Sequence, residues 1–277
     1  MFRRFSNSWQ LVQSSAAVLR ADKELIIFPI LSTIGVLLVT AAFIVPIVLT
    51  GRGEELGDSP LSFLIAFLFY FATYFVIFFC NSALVGAAMI RLRGGDPTVS
   101  DGLKIAFAHL GPIIGYALVS ATVGMVLRAI QQRAGLLGRI LVSLIGFAWN
   151  VGTFLAVPVL VTEKIGPIGA VKRSVALLKK TWGEQVIGNG GIGLVFGTLI
   201  FGAILVGGAL IAMAASIHSA PALLAAIGLV VLAVMVLAIL NATLSSIYTA
   251  AVYLYAAEGA TGSMFDPAQI QGAFRAR

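Results

Sequence analysis

The chain has 277 residues, of which 60% are hydrophobic, 18 are Lys or Arg and 11 are Asp or Glu; its mean hydropathy is +1.04 and its formal charge +7. A soluble domain carries about a quarter charged residues, so this composition excludes a soluble enzyme, a disordered tail and a fibrous repeat. It leaves a membrane protein whose excess positive charge, set between apolar runs, faces anionic lipid headgroups and not nucleic acid.

The N-terminal MFRRFSNSWQ is basic, yet no apolar run or small-residue cleavage site follows it directly, so no removed signal peptide is expected. Phe2, Phe5, Trp9, Val12, Ala16 and Leu19 recur every three or four residues. That period predicts an amphipathic helix over 3–20 lying in the membrane plane.

A spanning helix needs about 20 mostly apolar residues, because a hydrocarbon core of about 30 Å is crossed at 1.5 Å per residue. Six stretches qualify: about 25–50, 60–90, 110–127, 140–162, 186–215 and 222–256. Pro29, Pro46, Pro112 and Pro158 fall near their ends, where a missing N–H is least damaging. Before the third span, Asp96 is placed to cap and Pro97 to open an in-plane helix over 97–109, with Val99, Leu103, Ala106 and Leu110 on its apolar face. Before the fifth, Gly166-Pro167 opens a third such helix over 167–182, with Ile168, Val171, Val175, Leu178 and Trp182 on one face. Beside that face runs a basic strip of Lys172, Arg173, Lys179 and Lys180. A weak repeat joins these units, since small-residue patches at Ser32–Gly35, Ser120–Gly124 and Asn189–Gly193 follow the in-plane helices. Asp266-Pro267 offers a fourth start.

The flanks set the orientation, because Lys and Arg are retained in cytoplasmic loops. Fourteen basic residues fall on one side, and only Arg52, Arg128, Arg133 and Arg139 on the other. Both termini are therefore expected in the cytoplasm. No polar block is long enough to fold outside the bilayer, 163–185 being the longest, so residues 1–277 read as one integral domain. The fold class is all-α: a polytopic bundle of six transmembrane helices with amphipathic helices on the cytoplasmic side.

No carboxylate and neither histidine lies inside a span; His109 and His218 sit at boundaries on opposite sides. Intramembrane acid–base work and ion coupling rely on buried ionisable groups. A single cysteine, Cys80, admits no intramolecular disulfide, and with two separated histidines it supplies no metal ligand set. No catalytic residues, metal or cofactor are expected, and the chain reads as a non-enzyme.

The polar residues within the spans are the amides Asn81, Asn150, Asn189 and Asn241, with Ser82, Thr153, Thr243, Ser245 and Ser246 nearby. Two readings stay open: interhelical hydrogen bonds, or a polar track admitting a headgroup or small solute. Span five is rich in glycine, and its Gly193 and Gly197, a GxxxG pair, read as a helix-packing site in a central, closely packed helix. The strip Lys172, Arg173, Lys179 and Lys180 is either the positive-inside bias alone or a contact for anionic headgroups. Glu163 and Lys164 are placed to pair locally.

Ser8-Trp9, Asp22-Lys23-Glu24-Leu25, Phe28-Pro29, Asn81 with Ala83-Leu84, Gly94-Gly95-Asp96-Pro97-Thr98, Trp149, Pro158, Ala170 with Lys172-Arg173-Ser174, and Thr181-Trp182-Gly183-Glu184 together resemble a prokaryotic family of multispanning membrane proteins of unknown function. The likeness covers roughly 8–193; beyond span five only hydrophobicity is legible. More loosely, Pro158 to Trp182 is similar to the membrane domain attached to some glycerophosphodiester phosphodiesterases, which implies a membrane module without the hydrolase.

The expected function is non-enzymatic interaction with lipid in a prokaryotic inner membrane: moving lipid or amphiphiles, or shaping the bilayer. The expected partners are anionic lipids, with a second copy or another membrane protein as further options. The alternatives are a scaffold or accessory subunit, and a passive channel lined by Asn81, Asn150 and Asn241.

Overall fold

The computed structural model describes residues 2–51, 59–182, 192–217, 219–260 and 265. Every regular element among them is helical. Six helical stretches are long and apolar enough to cross a membrane. The chain runs through α1 (Phe2–Ala21), a 3₁₀ turn (Lys23–Ile26), α2 (Ile27–Thr50), α3 (Pro60–Leu92) and α4 (Val99–Ala108). It continues through α5 (Leu110–Arg133), α6 (Leu136–Gly152), α7 (Ala156–Thr162), α8 (Pro167–Trp182), α9 (Ile192–Ser216) and α10 (Ala220–Glu258).

Helix α3, with 33 residues, and α10, with 39, are about 50 and 60 Å long at 1.5 Å per residue. They cross as the central pair, and α2, α4, α5 and α7 gather around α3. The core is not spread evenly along them. It occupies the last third of each, Cys80–Leu92 and Thr243–Ala256, together with Ala156–Val161 of α7. Towards the other end the helices present Leu37, Leu64, Leu141, Leu205, Leu229 and their neighbours outward. A soluble monomer would not expose an apolar surface of that extent; here it is the lipid-facing belt.

The amphipathic helices pack on the core end and do not float beside it. α1 lies on α9 and α10, burying Leu11, Val12, Ser15 and Val18, while Trp9, expected on the apolar face, is 46% exposed. α8 buries Ala170, Ser174, Leu177 and Leu178 against its neighbours and turns Ile168 outward. α4 buries Gly102 and Ala106 against α3 and exposes Phe107. The expected faces are largely turned inward, with Val12, Ala106 and Leu178 buried and Ala16, Leu19, Val99, Leu103 and Val171 packed against the core, and it is protein that covers them. Among the described side chains, Trp9, Phe107 and Ile168 are left outward.

Three corrections concern local structure. The fourth span is interrupted: α6 ends at Gly152 and α7 begins at Ala156. Pro158 has no N–H for the Phe154 carbonyl and its ring would clash with that carbonyl in a continuous helix, so it sits in the first turn of a new one. The buried Leu155 N–H freed at the break donates to the buried Ser174 hydroxyl at 3.0 Å. Secondly, α4 is capped by Thr98 and not Asp96. The Thr98 hydroxyl accepts from Asp101 N–H, and the Asp101 carboxylate accepts from Thr98 N–H, a reciprocal capping box. The Thr98 hydroxyl also donates to the Asp101 carboxylate at 2.7 Å, and this bond, with that from Thr98 N–H, holds the Asp101 carboxyl below its ordinary pKa. Asp96 instead meets Arg91, and the turn into α4 relies on Gly94 at φ +88°, a left-handed conformation suited to glycine. Thirdly, the glycine-rich α9 is peripheral, packing on α10 and α1; the central helix is α3.

Candidate functional site

Between α2, α3 and α10 lies a groove of about 520 Å³. Its walls include Val36 from α2, Ile77 from α3 and Ala242 from α10, and its polar side chains are Ser32, Thr33, Cys80, Asn81, Ser245 and Ser246. None of the described residues lining it is charged. Ser246 donates to the Asn81 side-chain oxygen at 2.7 Å, joining residues 165 apart in sequence. The Ser246 hydroxyl also lies 2.8 Å from the Ala242 carbonyl, so its one proton is shared between two acceptors, and only one end of the Asn81 amide is held by a described residue.

The other expected track residues do not converge on this point. Asn241 accepts from Ser245 one turn on along α10, at 3.4 Å. Asn150 is exposed on α6, which packs against α5 and α8. Asn189 lies outside the described residues. The channel's three amides, Asn81, Asn150 and Asn241, are therefore not gathered along one path in the described structure. Asn81 found its partner in Ser246, which the sequence shows only as one of several hydroxyls near a span end.

All four members of the basic strip are exposed. Lys172, Lys179 and Lys180 are solvent-facing along α8, and none is in an ion pair among the described residues. Arg173 is different: its Nε donates to both oxygens of Glu163, each at 3.0 Å. Glu163 also accepts from the Tyr253 hydroxyl at 3.2 Å, and Thr162 donates to that hydroxyl at 2.7 Å. Glu163 thus joins α8 and α10 and does not pair with Lys164 as expected. The α7–α8 turn carries its carboxylate away from its sequence neighbour and towards the second turn of α8.

The packing assigned to Gly193 and Gly197 does not occur within the described chain. No described atom lies within 4 Å of where a Cβ would stand at either position, and both are exposed. The close approach in α9 is at Gly207, whose Cβ would come within 2.6 Å of Val230 on α10. Comparable contacts seat α2 on α3, with Val76 at 2.7 Å from a Cβ at Gly35. Among the described residues no three His, Cys, Asp or Glu side chains are grouped to hold a metal.

Residues 61–264, well over half of the chain, match a family described as "Family of unknown function (DUF6159)". The match begins beyond Ser8-Trp9 and Asp22-Lys23-Glu24-Leu25, and it runs through α10, where hydrophobicity alone was legible. No curated protein and no solved structure matches the chain, so the looser likeness to a phosphodiesterase membrane domain finds no counterpart.

Proposed function

The chain belongs to that family of unknown function, and from this premise we propose that it is a non-enzymatic membrane protein that binds anionic lipid at its basic end. The observation that carries the reading is the lysine face of α8: Lys172, Lys179 and Lys180 project outward without a carboxylate partner among the described residues, next to the outward Ile168. Lysine stems lie along apolar surface while their ammonium groups reach water and phosphate. Trp9 and Phe107 supply further apolar contacts on α1 and α4. This is the arrangement that binds a headgroup layer and shapes or gathers lipid there.

The test replaces Lys172, Lys179 and Lys180 with Gln and leaves Arg173, because Arg173 ties α8 to Glu163. Native mass spectrometry of the full chain, released from nanodiscs of mixed phosphatidylglycerol and phosphatidylcholine, reads the lipid retained. Each basic group near an anionic surface contributes about 1 kcal/mol, roughly fivefold. The triple variant should therefore lose at least tenfold of its preference for phosphatidylglycerol; an unchanged preference removes the reading.

The proposal places the protein in a prokaryotic cytoplasmic membrane with both ends of the chain, and the α8 lysines, facing the cytoplasm. In a Cys80→Ser background, single cysteines at Gln131 and Ala176, both exposed, should be labelled by an impermeant maleimide from opposite sides. Labelling of both from one side would reverse this assignment.

A further inference from the structure

We infer that a second pocket, between the end of α3, helix α4 and the end of α7, binds a phosphate monoester group. The cavity of about 280 Å³ is lined by Arg93, Lys104 and His109, with Met89, Ile105 and Val161 among its apolar walls. No carboxylate is among its described lining residues. The crossing of α4 over α3 creates it. Gly86 lets Ile105 come within 2.8 Å of where a Cβ would stand, which seats the Lys104 turn of α4 on α3, and the chain then turns at His109 into α5. Each of the three nitrogen-bearing side chains keeps binding capacity. Arg93 meets Glu258 through one Nη, leaving the rest of its planar fork. Lys104 reaches one Asp101 oxygen at 3.5 Å, while both Thr98 bonds go to the other; an exposed pair of this kind contributes little. His109 Nδ1 lies 2.9 Å from the Ile105 carbonyl oxygen. A carbonyl only accepts, so Nδ1 carries the proton and Nε2 is the atom left for a ligand.

This combination of groups selects the ligand. Two cations match a phosphate monoester, which carries about −1.5 to −2 charges near neutral pH. Its second ionisation lies at about pH 6, so it can share a proton with His109 Nε2. A phosphodiester, such as a phosphatidylglycerol head, has one charge fewer and no proton to share. A carboxylate carries a single charge and gives up its proton well below neutral pH. The charge that suits a helix C-terminus accounts for Arg93 after α3, but Lys104 stands in the middle of α4. The volume, just under the roughly 300–1,000 Å³ of drug-sized sites, takes a headgroup-sized piece and not a whole lipid. Phosphatidic acid and a water-soluble glycerol phosphate both present this group. None of the α8 lysines lines the pocket, so the assignment does not rest on the lysine face.

The experiment uses the full chain in phosphatidylcholine nanodiscs. In one arm, equal amounts of phosphatidic acid and phosphatidylglycerol are included and native mass spectrometry reads the lipid retained; in the other, glycerol phosphate is titrated and followed by phosphorus NMR. Phosphatidic acid retained at least fivefold over phosphatidylglycerol identifies a lipid headgroup as the source, and saturable binding of glycerol phosphate alone identifies a soluble one. Arg93→Gln with Lys104→Gln should reduce the binding at least tenfold, the effect of two charged contacts. His109→Phe should reduce it about fivefold, the effect of one hydrogen bond. Because Arg93 also holds Glu258, a further variant is Ala108→Glu, at an exposed position on the pocket wall. It places a carboxylate in the cavity without removing either ion pair, and should abolish monoester binding while leaving the melting temperature unchanged. Replacing Lys172, Lys179 and Lys180 with Gln should lower both lipids alike and leave their ratio intact, so failure of the lysine-face reading and failure of this one are separable. Equal retention of the two lipids with no binding of glycerol phosphate, or undiminished monoester binding in a folded Ala108→Glu protein, would overturn the assignment.

Discussion

Gly102→Val is expected to destabilise the folded chain by about 3 kcal/mol or more. A Cβ at Gly102 would stand 2.5 Å from Phe28 Cζ and 2.8 Å from the Ala83 carbonyl oxygen. Neither neighbour can give way. Phe28 is 1% exposed within the core, and the Ala83 carbonyl is part of the α3 backbone. The only relief is to lift α4 off α3, which would uncover Ala106 and pull the capping box at Thr98 out of place. The paired control is Gly197→Ala on α9, where no described atom lies within 4 Å of the added methyl. Alanine is the better helix former by about 1 kcal/mol, so this variant should be neutral or stabilised. Thermal unfolding in detergent reads both; equal melting temperatures for Gly102→Val and the parent would mean that α4 is not seated on α3 as described.

Arg91→Met is expected to cost about 3–5 kcal/mol near neutral pH, the effect of removing one partner from a buried charge pair. Asp22, 5% exposed, lies 3.5 Å from the Arg91 guanidinium. Burial raises the Asp22 carboxyl above its ordinary pKa, and Arg91 pulls it part of the way back. A native-state pKa above the unfolded value means that the folded chain binds the proton more readily. Stability is thus highest below the ordinary carboxylate range and falls as pH rises through the raised value. Without Arg91 that value rises further, so the loss should be larger at high pH, where the carboxyl is charged, and should shrink as pH falls through the raised value. Asp22→Asn combined with Arg91→Met should recover most of the loss, because no buried charge remains. A deficit independent of pH and not relieved by Asp22→Asn would refute this account.

Arg91 matters because it closes a corner. Asp22 follows α1, Asp96 precedes α4, and both meet Arg91 at the end of α3. Two residues along, Glu24 accepts from Val99 N–H at 3.0 Å, holding the first turn of α4. The acidic residues of Asp22-Lys23-Glu24-Leu25 therefore latch the amino-terminal segment onto the far end of a span, and Glu163 does the same between α8 and α10.

What the sequence by itself determined is whatever the bilayer enforces locally. Six apolar runs had to be helices, because lipid offers no hydrogen-bond partner and a helix satisfies its own backbone. Their positions follow from length and hydropathy, and the three amphipathic helices follow from period. The tertiary structure alone decided which groups meet. Asn81 with Ser246, Arg93 with Glu258, and Glu163 with Arg173 join residues 165, 165 and 10 apart, and no local spacing singles out those pairs. It also decided that the buried stripe of α1 runs through Leu11, Ser15 and Val18, and that α9 is peripheral despite its glycines. Hydropathy distinguishes water from oil but not protein from lipid, since both are apolar. Only the packed helices show which apolar faces are covered by protein, which are left to the membrane, and where a groove opens between them.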